Sequence, residues 1–170
     1  MNAIRRTPSK AIGPRLRIVL VLLLASFVLL AVNSAYLGGV SIMEWRTGLT
    51  YQNYAYQLMF LFHLTVGLLT VVPSLIFMLI HSRNTWRRKN RSAVYAGLGL
   101  MTAVLALLVS GIVLVRFEGF ELHHPTSRSI AYWTHVLMPL VCVWLFILHR
   151  LAGPRIRWRY CRSSRCWHPW

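Results

Sequence analysis

The chain has 170 residues, 56% of them hydrophobic and 13% charged, with 19 Lys+Arg against 3 Asp+Glu. Four apolar runs of about 20 residues recur along it, and about 20 residues cross the roughly 30 Å of membrane hydrocarbon, so an ordinary soluble domain is excluded. The net charge of +16 invites a nucleic-acid reading, which the placement of the charges excludes.

Helix 1 is expected over residues 18–37, behind a basic segment of residues 1–17. A secretory signal has an apolar core of about 7–15 residues followed by a small-x-small cleavage site. This run is longer, and "AVNSAYLGG" is a weak cleavage candidate, so the helix is read as retained. A longer loop follows, "GGVSIMEWRTGLTYQNYAYQ", with Trp45, Tyr51, Tyr54 and Tyr56 suited to a membrane-interface belt. Helix 2 is expected over residues 58–80, helix 3 over 94–115 and helix 4 over 130–148, so that residues 18–149 form an all-α four-helix transmembrane bundle. Trp86 and Trp158 suit the opposite belt.

Sixteen basic residues precede helix 1, join helices 2 and 3, or follow helix 4 in the tail of residues 150–170. Only Arg46, Arg116 and Arg128 lie in the other two loops, together with all three acids, Glu44, Glu118 and Glu121. That asymmetry is the positive-inside pattern and places both termini in the cytoplasm. The charge orients the protein and meets anionic lipid, with no nucleic-acid partner implied. Helices 2 and 4 then both run inward, parallel to each other.

Those two helices carry the chemistry. Helix 2 holds His63 and His81; helix 4 holds His135 and His149. In each, the first histidine sits five positions into the apolar run and the second comes directly after it. Ionisable groups in membrane helices are costly and functional by default. At 100° per residue, separations of 14 and 18 return to within about 40° of one face, so both histidines of each helix can look inward. Two facing pairs are expected, His63 with His135 at the outer level and His81 with His149 at the inner level. Each pair would give one haem iron two axial imidazoles. The axial rise between levels is about 27 Å on helix 2 and about 21 Å on helix 4. Pro73 and Pro139 are expected to bend these helices and absorb the difference.

Gly97 and Gly111 on helix 3 are also 14 apart, near the inner and outer levels. Glycine leaves room for a flat macrocycle against a helix, and Gly67, one turn after His63, can serve likewise; small-residue helix packing is the alternative. Anionic propionates need cations, for which Arg46, Arg116 and Arg128 stand outside and Arg83 and Arg150 inside. Topology alone also accounts for each of these arginines. His123 and His124 in the outer loop could exchange protons with a quinone, bind a surface metal, or simply be solvated. His168 has no assigned role. Cys142 reads as a small apolar residue, and Cys161 and Cys166 have the wrong spacing for covalent haem attachment. A further domain downstream of the basic tail is left open.

On "FHLTVGLLTVVPSLIFMLIH", "GLGLMTAVLALLVSG" and "THVLMPLVCVWLFILHR", the chain resembles the bis-histidine di-haem cytochrome b type of four-helix membrane subunit. The resemblance covers helices 2 to 4. It implies two haems b, held by His63 with His135 and by His81 with His149, with Gly97 and Gly111 against the porphyrins. It further implies one-electron transfer between a quinol pool or cytoplasmic donor and an extracytoplasmic partner, as an oxidoreductase subunit in a bacterial inner membrane. Two other readings stay open: a histidine-lined metal or proton transporter, and a cofactor-free structural or assembly protein. The first usually needs acidic groups in its spans, and no Asp or Glu lies inside any of the four runs.

Overall fold

The structure is a computed structural model that describes residues 13–86, 90–115 and 124–153. The expectations on Arg116, Glu118, Glu121, His123, Trp158, Cys161, Cys166 and His168 fall outside these residues, as do residues 1–12 of the basic segment.

Four helices follow in order: α1 (Pro14–Thr47), α2 (Tyr54–Thr85), α3 (Arg91–Leu114) and α4 (Pro125–Ala152). The described residues hold no strand. All four helices are long and apolar enough to cross a membrane.

Every helix starts before its apolar run, and α1, α2 and α4 also end beyond theirs, most of all α1. Its 34 residues rise about 51 Å, well over the hydrocarbon thickness. The segment expected as a long outer loop is mostly helix: Gly38 and Gly39 continue α1, and the turn is made at Gly48. Gly48 alone among the described residues has a left-handed backbone (φ 68°), and its N–H closes on the Glu44 carbonyl at 2.9 Å. Two glycines in a helix cost helical propensity but do not end it; a left-handed residue does. The connection that remains is short and tied to α1. Glu44 accepts from the Tyr51 N–H at 2.9 Å and from the Gln52 side-chain amide at 3.1 Å. Asn53 then caps α2 by accepting from the Tyr56 N–H at 3.0 Å.

Asn90 caps α3 through the Ala93 N–H at 3.3 Å, and its amide donates to the Ala152 carbonyl of α4 at 2.8 Å. One side chain thus starts α3 and fastens it to the end of α4. Pro125 occupies the first turn of α4, where its missing N–H costs nothing. Pro73 and Pro139 lie inside continuous helices.

The helices pair as two hairpins. α3 packs along α4, α1 packs on α2, and α2 meets α3 more briefly; α2 and α4 make almost no close backbone approach. The burial pattern is inverted relative to a soluble protein. Large apolar side chains point outward, with Leu69 71% and Leu140 70% exposed. Among the described residues, six of the nine buried positions are small or polar, Thr70, Ser74, Ala103, Ser110, Ala131 and Asn33; the other three are Leu16, Leu23 and Leu107. Small residues let helices approach, and lipid takes the large apolar surface. α1 is registered on α2 by Asn33, only 6% exposed, whose amide donates to the Met59 carbonyl at 3.1 Å.

Candidate functional site

All four helix-borne histidines lie in the seam between α2 and α4. The rings of His63 and His135 have centroids 6.1 Å apart and planes at 85°. Those of His81 and His149 are also 6.1 Å apart, at 81°. Since 63 pairs with 135 and 81 with 149, α2 and α4 run parallel. The levels form alike even though the histidines of α2 are 18 positions apart and those of α4 only 14. Along the helix axes this is a path difference of about 6 Å.

Each ring on α4 is held by α3. The Nδ1 of His149 lies 3.0 Å from the Ala93 carbonyl oxygen, and the Nδ1 of His135 lies 3.3 Å from the Leu107 carbonyl oxygen. Ser110 stands beside the outer ring, its hydroxyl 3.5 Å from His135 Nδ1 while donating to the same Leu107 carbonyl at 3.0 Å. The room that Gly97 and Gly111 leave is taken by these imidazoles. A Cβ built on Gly97 would stand 2.9 Å from His149 Cε1 and 3.0 Å from its Nδ1, with Nε2 at 3.9 Å. On Gly111 it would stand 2.9 Å from His135 Cε1 and 3.2 Å from Nδ1, with Nε2 at 4.0 Å. In both rings Nε2 is therefore the nitrogen turned away from α3.

The α2 rings are supported differently. Phe77, one turn before His81, stacks on it with centroids 5.4 Å apart and planes at 9°. His63 faces α1, where the Ser34 hydroxyl lies a long 3.5 Å from its Nδ1. The remaining candidates are peripheral. A Cβ on Gly67 would meet no atom of the chain within 4 Å. Arg83 is exposed in the last turn of α2, and Arg150 is half-buried directly after His149. Arg128 is half-buried, about two turns before His135. His124 occupies the N-cap position of α4, exposed and without a side-chain capping bond.

Ser34, Phe77, Ser110 and the carbonyls of Ala93 and Leu107 were not singled out by sequence reasoning. Phe77 had a usable signal, since it lies four residues before His81 and so shares its face. Ser34 follows Asn33 as a polar pair inside an apolar helix. The carbonyls have only an indirect marker, a glycine four residues onward.

This arrangement fits an iron porphyrin. A metal–imidazole nitrogen bond is about 2.0–2.1 Å, so two trans imidazoles on one iron have centroids about 6.2 Å apart, counting about 1.1 Å from nitrogen to centroid. A carbonyl can only accept, so the bonds at Ala93 and Leu107 require the proton on Nδ1, which leaves the Nε2 lone pair of His149 and His135 for a metal. Among the described residues no group of three or more His, Cys, Asp or Glu is placed to hold a metal ion.

Comparisons with known protein families, with curated proteins and with solved structures find no match to this chain.

Proposed function

We propose that the chain is a b-type di-haem cytochrome, the electron-carrying membrane subunit of a respiratory oxidoreductase. One observation carries this reading: two histidine pairs at different depths, each 6.1 Å apart, lie between two helices that otherwise stay clear of each other. His63 and His135 would hold one haem, His81 and His149 the other. The haem supplies one-electron chemistry. The protein would supply two imidazoles to each haem, a ligand set that suits electron transfer over oxygen binding. The apolar helices keep water from both levels. Arg150 and Arg83 at the inner edge, and Arg128 at the outer, are cations available to propionates.

The levels are separated along the helices by about 21–27 Å, a large part of the hydrocarbon thickness, so a pair of centres suits transfer across the membrane. The basic segments orient both termini to the cytoplasm, in the manner of a bacterial inner-membrane protein. The described loops are short, so donor and acceptor chemistry is assigned to partners: a redox subunit on either side, with a quinone as the candidate membrane-soluble one.

The test is transport of electrons by the purified protein in sealed vesicles with ferricyanide trapped inside and dithionite outside. Ferricyanide should be consumed much faster in vesicles carrying the wild-type chain than in empty vesicles or in vesicles carrying His135→Ala. Equal rates in all three would refute the function.

A further inference from the structure

The 14-residue interval of the α4 histidines is repeated twice on α3, in the glycines Gly97 and Gly111 and in the carbonyls of Ala93 and Leu107. Each glycine lies four residues after its carbonyl. In an α-helix the Cα–Cβ bond tilts toward the N-terminus, so a side chain covers the turn before its own Cα. The side chain at position i+4 therefore shields the carbonyl at position i. Glycine removes that shield, and the second lone pair of the carbonyl becomes open to a neighbouring helix. The ring contacts of 2.9–3.2 Å to a built Cβ show that one methyl group would occupy the place where Cε1 and Nδ1 now lie.

We infer that Gly97 and Gly111 are positioning residues: each opens one α3 carbonyl to one α4 imidazole, and so sets the tautomer and electron-donating strength of His149 and His135 separately. This rests on the haem reading for its redox consequence, but not for the tautomer. A ligating imidazole whose other N–H is hydrogen-bonded is a more basic ligand. A more electron-rich ligand favours the oxidised metal, so losing the carbonyl bond raises the midpoint potential of that centre alone.

The two carbonyls are not equivalent. Ala93 meets His149 at 3.0 Å, whereas Leu107 meets His135 at 3.3 Å and also accepts from Ser110. A carbonyl shared with a hydroxyl has less to give the imidazole. Ser110 therefore weakens the outer bond, and Ser110→Ala should strengthen it.

The experiment has two arms on the full chain in detergent. The first is ¹⁵N-histidine NMR of the dithionite-reduced protein, with signals assigned by loss in His135→Gln and His149→Gln. The wild type should carry the proton of both His135 and His149 on Nδ1; Gly97→Ala should perturb the His149 signal only and Gly111→Ala the His135 signal only. The second is a spectroscopic redox titration. Gly97→Ala should raise the inner potential, Gly111→Ala the outer one, and Ser110→Ala should lower the outer one with the inner unmoved. Protons on Nε2 in the wild type would overturn the inference, as would equal shifts of both centres in each variant. If the glycine variants do not fold, the wild-type tautomer and the sign of the Ser110→Ala shift decide it. In a protein isolated without haem, the proposed function fails while the NMR arm still reads both protons.

Discussion

His149 reaches across from α4 to the Ala93 carbonyl at 3.0 Å, on the one turn of α3 that Gly97 leaves bare. His135 repeats the contact at Leu107 beside Gly111, half a helix away. The α3–α4 hairpin thus holds one ring at each level through backbone bonds, while α2 supplies the facing ring of each pair.

Removing one ring should cost one centre. His135→Ala is expected to lower bound haem from two per chain to one, with His149→Ala doing the same at the inner level. Haem content and circular dichroism check this together: unchanged haem in either variant, or loss of both haems with native helicity, contradicts the assignment of independent sites.

Phe77 orients His81 by stacking at 5.4 Å. An aromatic pair contributes about 0.5–1.5 kcal/mol beyond its buried area. Phe77→Ala should therefore weaken retention of the inner haem roughly 2- to 13-fold, and leave the outer haem in place. Haem loss to an apo-haem acceptor, followed at both centres, measures the difference. Equal loss rates at both levels would remove Phe77 from the site.

Asn33 fastens α1 to α2 one turn from His63, through the Met59 carbonyl. Interhelical hydrogen bonds in membranes average about 0.6 kcal/mol and reach about 1.7. Asn33→Ala should lower stability within that range in an unfolding titration, and loosen the outer haem before the inner. A loss confined to the inner level would contradict the placement of α1.

Asn90 both caps α3 and holds the end of α4 at Ala152. Loss of an N-cap costs about 0.5–2 kcal/mol. Asn90→Ala is expected to destabilise the protein by about that amount, with Asn90→Asp keeping the cap but losing the amide donor to Ala152. The Asp variant should fall between the two in thermal unfolding; equivalence to wild type would show that the tie to α4 adds nothing.

Much of this fold was legible because bilayer thickness imposes it. Four apolar runs became four helices, and the two histidine intervals on α2 and α4 brought the rings together at two levels. Helix ends were less legible. Gly38 and Gly39 looked like a break, yet the chain turns at Gly48, where left-handed geometry and the Glu44 bonds act together. Hydropathy marks where lipid ends, which is not where backbone hydrogen bonding ends. The partners of the rings were least legible. Gly97 and Gly111 stood out, but their closeness to the imidazoles did not, because the carbonyls of Ala93 and Leu107 that hold the rings carry no sequence signal of their own. Ser34 lay in an apolar helix whose packing against α2 no local pattern specifies.

The central claim is that each level grips one iron porphyrin. Its most direct test is a dithionite-reduced-minus-oxidised spectrum of the purified full chain, with pyridine haemochrome quantification. The account predicts a b-type α-band and close to two haems per chain. A colourless preparation of folded, helical protein would contradict it.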